Sequence, residues 1–209
     1  MTEDLEEFQK KIIEDESELI CCMKARQVGG TTAFMKKSNK RIQETNDMIW
    51  VLSPSLSQSN RALRMIGERD EKFHSKAVGW ENIEVQGLDG FINTLRKAMT
   101  PTEPKRMPDV IYVDEPEGLP DGLFSNILDF QEGSDFELWA CGSPMGYYKS
   151  SSEMYEFFQK EEVSSYHVKY DDVSHLGDEY IERIKDELSE PEKKSAIEGE
   201  HIEKEDDDQ

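Results

Sequence analysis

Lys24-Ala25-Arg26-Gln27-Val28-Gly29-Gly30-Thr31-Thr32 has the residue types of a phosphate-binding loop. The apolar run from Leu19 to Met23 before it reads as a buried strand, and Thr31-Thr32 open an amphipathic helix behind it. In that layout, backbone N–H groups and the positive end of the helix face a nucleoside triphosphate, and a hydroxyl is placed to hold Mg²⁺. The usual spacing is G-x-x-x-x-G-K-[ST]. Here Lys24 holds the first position, Gly29 the sixth, Gly30 the lysine position and Thr31 the hydroxyl position. The loop names a chemistry and lacks a side chain where its charge is normally supplied.

A second group is Asp109-Val-Ile-Tyr-Val-Asp114-Glu115. Four apolar residues ending in adjacent acids put both carboxylates at the C-terminal edge of a buried strand, where ligands bind in open α/β sheets. Asp114 can hold Mg²⁺ through water, and Glu115 can orient and deprotonate an attacking water. Such a pair also occurs as a plain solvated strand end, but the phosphate loop upstream favours the catalytic reading. A third group, Cys141-Gly142-Ser143-Pro144, ends another apolar strand. Ser143 falls where a γ-phosphate sensor belongs; an ordinary Gly-Ser-Pro turn is the competing reading.

The elements that must position these residues follow from periodicity. Leu5, Phe8, Ile12 and Ile13 share a helical face, and a helix after the loop is expected to reach about Glu44. Met48–Leu52 reads as a second buried strand, followed by Ser-Pro-Ser. Ser55 and Gln58 have the spacing of a capping box for a helix reaching about Phe73. Residues 82–95 suggest a strand pair, Val110–Val113 a third apolar strand and Phe136–Cys141 a fourth. A helix over 152–161, a strand over 163–169 and a charged helix from about Asp178 to the Ser189-Glu190-Pro191 break complete the pattern. Strands alternating with helices indicate an α/β domain over 1–202 with a mainly parallel sheet flanked by helices. Residues 203–209 form an acidic tail expected to be disordered.

A chain of 209 residues can bury a real core. Its net charge is −21 and its mean hydropathy −0.77, so unaided binding to a DNA backbone is disfavoured. Salt adaptation, an interaction bias and acidity without special meaning all remain open. The three cysteines lie in apolar runs without metal spacing and read as reduced core residues. No apolar stretch approaches membrane-spanning length, so no membrane partner is expected.

Gln9, Lys24–Thr32, Ser53-Pro-Ser-Leu-Ser-Gln58, Val113-Asp-Glu115 and Gly142-Ser-Pro-Met-Gly146, in this order, resemble the ATPase domain of large terminase subunits, the DNA-packaging motors of tailed viruses. The Arg-Gln-x-Gly-x-Thr-Thr form of the loop is the most specific element, and Met154-Tyr-Glu-Phe-Phe158 adds to it. The resemblance covers roughly residues 5–202, including Gly199-Glu-His-Ile, which would lead toward a hinge. It implies a P-loop NTPase of the additional-strand, RecA-like type that hydrolyses Mg-ATP to move double-stranded DNA into a procapsid.

On that resemblance Gln9 would contact adenine, and Gly29, Gly30 and Thr31 would wrap the phosphates with Thr31 on Mg²⁺. Arg26 would stabilise the transferring phosphoryl group, and Ser143 would belong to the coupling motif. Some family members carry the loop lysine displaced to the first position, so Lys24 is the expected substitute for the side chain Gly30 lacks; a flexible ammonium can serve as a point charge from either side. Implied partners are a portal, a small terminase subunit, a separate nuclease subunit and further copies of this chain in a ring, in the host cytoplasm at the procapsid. No nuclease domain is expected within these residues. The alternatives are a helicase-like ATPase, which needs a second RecA-like domain, and a remnant that binds ATP without turnover.

Overall fold

The computed structural model describes residues 5–45, 47–65, 75–79, 108–144 and 149–201. In chain order these form α1 (Glu7–Glu14), β1 (Leu19–Lys24), α2 (Gly30–Thr45), β2 (Ile49–Ser53), α3 (Leu56–Arg64), β3 (Ser75–Gly79) and β4 (Val110–Asp114). A 3₁₀ turn (Pro116–Gly118) leads to α4 (Leu123–Gln131), β5 (Glu137–Gly142), α5 (Lys149–Gln159) and β6 (Ser164–Val168). A second 3₁₀ turn (Tyr170–Asp172) precedes α6 (Asp178–Glu187) and α7 (Glu190–Glu198).

The six strands form one sheet in the order β3-β2-β4-β5-β1-β6, and every pairing is parallel. β5 is inserted between β1, which carries the loop, and β4, which carries the acids; this is the additional strand. Helices cover both faces, which explains why the strands are nearly continuous apolar runs rather than alternating ones. Ile20, Cys22, Val51, Tyr112 and Trp139 face one layer with α1 and α2, and Phe34 of α2 stacks on Tyr112 at 4.9 Å. Met23, Leu52, Val113 and Ala140 face the other, against Phe124 of α4 and Phe157 of α5. In a parallel sheet all strand C-termini lie on one edge, so Lys24, Asp114 and Gly142 meet there.

Two helix starts carry side-chain caps. Glu153 of α5 accepts the Gly122 and Ser125 N–H groups (3.0 and 3.3 Å), so a distant carboxylate satisfies the orphan donors of α4. Ser189-Glu190-Pro191, expected only to end a helix, also begins α7. Ser189 and Glu192 make the capping box, and Pro191 sits in the first turn, where its missing N–H is not needed. β3 has no counterpart in the sequence reading. The expected strand pair over 82–95, the end of the helix near Phe73 and the tail at 203–209 lie outside the described residues. No described helix is long and apolar enough to cross a membrane.

Candidate active site

The loop is built on tertiary contacts as much as on its own sequence. After β1, Ala25 N donates to Val168 O (2.7 Å) and Arg26 N to Ala196 O (3.0 Å). Gln27 and Gly29 take positive φ (60° and 92°). That conformation suits Gly29 but costs about 1–3 kcal/mol at a residue with a side chain. Gln27 is held there from outside: Tyr180 OH donates to its Oε1 (2.6 Å), and His175 Nε2, as the N–H tautomer, to its carbonyl (3.2 Å). Gln9 is buried beneath the loop, its Nε2 donating to Gly29 O and its Oε1 accepting Glu6 N–H, both at 3.0 Å. Ala25 and Val28 turn their side chains into the core, leaving only their backbone to a ligand.

Lys24 runs through the room that Gly30 leaves. A Cβ on residue 30 would stand 2.5 Å from Lys24 Cδ and 2.6 Å from Cys141 Sγ. Lys24 is 7 % exposed, and its ammonium donates to Ser143 Oγ at 3.3 Å. Burial pulls its pKa down, but Cys141, Glu117 and Asp114 around it prevail and hold it above the ordinary lysine value. A charged ammonium is therefore retained at the strand edge.

Asp114 lies beside Thr31, whose hydroxyl donates to Oδ1 at 2.9 Å; Tyr112 OH donates to the same oxygen at 2.6 Å. Burial raises the Asp114 pKa, against the pull of the Tyr112 bond, Lys24 and the Thr31 bond. One hydroxyl and one carboxylate form a set of hard oxygen ligands. This fits Mg²⁺, which takes few protein ligands and keeps waters and phosphate oxygens. Among the described residues no group of three or more His, Cys, Asp or Glu could hold a metal by itself.

Glu115 leaves the sheet in the left-handed region (φ 57°) and turns the chain into the 3₁₀ turn. Its N–H donates to Cys141 O at 2.8 Å, and its Oε2 accepts Gln58 Nε2 at 2.7 Å. Gln58 N–H donates to the Ser55 hydroxyl oxygen as expected of a cap (3.2 Å), but the Gln58 side chain crosses to Glu115 instead of closing the box.

The structure thus brings Lys24, Gly29, Gly30, Thr31, Thr32, Asp114 and Glu115 around one cavity of about 570 Å³, walled on the far side by Gln58 and Arg61 of α3. Arg26 and Ser143 line a neighbouring cavity of about 760 Å³ that shares Lys24, Gln27 and Glu115 with the first. α7 borders both motifs, since Ala196 O holds Arg26 N and the Ser195 hydroxyl donates to Pro144 O. Gln58, Arg61, Tyr112 and Glu117 were not singled out for this site in the sequence. Tyr112 could have been, as it lies two residues before Asp114 on the same strand face; Glu117 sits in a Pro-Glu-Gly turn that reads as exposed.

No protein-family model and no curated protein matches the chain. Among solved structures, the ATPase domain of the Thermus phage P74-26 large terminase is similar, with 14 % identity, a TM-score of 0.66, and 93 % of this chain and 92 % of that one covered. The large terminase of the thermophilic bacteriophage D6E is similar at 13 % identity and TM-score 0.69, over 94 % of this chain and 53 % of that one. Its complex with ADP gives 14 %, 0.66, 95 % and 54 %. The chain spans about half the length of the D6E protein. At these identities the likeness is one of architecture, and over nearly its whole described length the chain has the additional-strand, RecA-like P-loop fold found in large terminase ATPase domains.

Proposed function

We propose that this chain is the ATP-hydrolysing domain of a terminase-like DNA-packaging motor. The observation that carries the proposal is the convergence of Lys24, Thr31, Asp114 and Glu115 on one loop-lined cavity, with the Lys24 stem in the space a side chain at residue 30 would need. In this reading the N–H groups of Gly29–Thr32 bind the triphosphate, and Lys24 neutralises charge developing on the transferring phosphoryl group. Glu115 orients and deprotonates water. Mg²⁺, held by Thr31 and Asp114, would screen the phosphate oxygens. Arg26 would act on the phosphoryl group from the neighbouring cavity. Gln9, assigned to adenine by the resemblance, also fixes the Gly29 carbonyl.

The ADP bound by the D6E terminase supports a nucleotide in this cavity. Double-stranded DNA, a portal, a small terminase subunit, a separate nuclease subunit and a ring of copies, acting at the procapsid in the host cytoplasm, complete the proposal. DNA contact would come through the assembled motor, given the charge of −21. The test is phosphate release from Mg-ATP by the purified chain at low and high salt, alone and with linear duplex. Turnover that Lys24→Ala and Glu115→Gln both abolish supports the assignment. ATP binding without turnover in the wild type would favour a non-hydrolysing remnant.

A further inference from the structure

In the wall of the larger cavity, Glu117 is 8 % exposed although it sits in a turn between β4 and α4. Its Oε1 accepts the Ser143 N–H at 2.8 Å. Ser143 in turn accepts from Lys24 Nζ at 3.3 Å. The strand ladder ends at Gly142, and beyond it the segment is held by Glu117 on the Ser143 N–H and by the Ser195 hydroxyl on Pro144 O. Space is made for the carboxylate at Gly142. A Cβ on Gly142 would collide with the Glu117 carboxylate and come within 2.9 Å of Pro116 Cδ, so only glycine at 142 admits Glu117 here. The strained turn at Glu115 throws the chain back toward β5 and delivers Glu117 beneath Ser143.

From this geometry we propose that Glu117 is a positioning residue: it clamps Ser143 so that Ser143 holds the Lys24 ammonium at the phosphate edge, linking the turn of the general base to the displaced lysine. The proposal rests on Lys24 serving the phosphates. In this role Glu117 acts through two hydrogen bonds in series, by way of Ser143. The charges facing it are the Lys24 ammonium at the end of β1 and Glu115 on its own turn. Its influence on the buried Cys21 thiol places that group near it as well. A carboxylate beside Lys24 also favours the charged ammonium, together with Cys141 and Asp114.

The test uses the full chain carrying Glu117→Ala, Glu117→Gln and Gly142→Ala. Amide exchange read without ATP should find Ser143 N–H protected in the wild type and in Glu117→Gln. Protection should fall by about a hundredfold or more when the acceptor is removed or displaced. With ATP, Glu117→Ala and Gly142→Ala should lower kcat by about tenfold or more. KM should stay within about twofold, and Glu117→Gln, which keeps the acceptor oxygen, should restore kcat to within about threefold. If Glu117→Ala does not fold, Gly142→Ala and Glu117→Gln carry the comparison. A normal kcat in a variant that has lost Ser143 protection overturns the proposal, as does a Gln variant no better than Ala. A wild type without turnover at any salt instead overturns the ATPase assignment, while the exchange arm still decides the Glu117 contact.

Discussion

Gln58 Nε2 donates to Glu115 Oε2 at 2.7 Å, tying the carboxylate at the end of β4 to the helix that follows β2. The two residues are far apart in sequence and meet only because β2 and β4 are neighbours in the sheet. Glu115 is therefore fixed at both ends, its backbone in a left-handed turn and its side chain on an amide from across the cavity. General-base chemistry requires such a carboxylate to sit within hydrogen-bond reach of one water.

Glu115→Gln should bind ATP as the wild type does and hydrolyse it about a hundredfold more slowly or worse, since the amide keeps the Gln58 contact but cannot take a proton. Asp114→Ala should instead lose Mg²⁺-dependent binding. Phosphate release and binding of a fluorescent ATP analogue check the two separately. Wild-type turnover in Glu115→Gln would remove the base assignment.

Lys24→Ala should reduce ATPase at least about tenfold, because a charge-assisted contact to phosphate is worth roughly 1.5–3 kcal/mol. Gly30→Lys alone should destabilise the fold, as its Cβ meets Lys24 Cδ at 2.5 Å. In the Lys24→Ala background the clash with the lysine stem is gone and only Cys141 Sγ, at 2.6 Å, must give way, so the same substitution should recover part of the activity. Normal hydrolysis by Lys24→Ala would shift the role to Arg26.

Glu153→Ala should lower stability by about 1–3 kcal/mol, because α4 then begins with two donors whose acceptor has gone. The urea midpoint reads this directly. An unchanged midpoint would mean water replaces the cap at no cost.

Burial raises the Glu117 pKa to about 7 from the ordinary 4.5, with the Lys24 charge and the Ser143 N–H bond pulling the other way. A raised acid favours the folded state while it is protonated. Its contribution is thus complete below about 4.5 and is lost as pH rises through about 7. The stability of Glu117→Gln relative to the wild type should therefore improve between pH 5 and pH 8, by about the difference in proton uptake. Parallel melting curves across that range would contradict the shift.

Salt should raise the melting temperature if the −21 charge destabilises the compact state by self-repulsion, because the screening length falls to about 3 Å at 1 M. A gain of about 2 kcal/mol would move the midpoint by roughly 4–8 °C for a domain of this size. A flat or falling trend in KCl would leave the acidity as an interaction feature or an accident.

What could be read in the chain was whatever a local pattern carries. Four buried apolar runs, the Gly29-Gly30 loop and the Asp114-Glu115 strand end were visible because a strand covered on both faces has a composition of its own. Lys24 was legible as the substitute lysine from its position, but the reason it fits, the space above Gly30, depends on Cys141 of β5, far along the chain. Gln58 carries two signals, a capping spacing and a tertiary bond, and only the first is local. Glu117 is polar, flanked by Pro116 and Gly118, and buried only because the Glu115 turn folds it under β5. α7 was missed because Pro191 reads as a stop, whereas a proline in the first turn is equally a start.

α7 receives Arg26 N on Ala196 and reaches Pro144 from Ser195, two adjacent residues on one helix. The loop after β1 and the Gly-Ser-Pro segment therefore lean on neighbouring residues of one helix, and a movement of that helix would be felt by both. Thermodynamic reciprocity then demands symmetry: whatever occupancy of the loop does to the seating of this helix, a load that unseats the helix must return to the affinity of the loop.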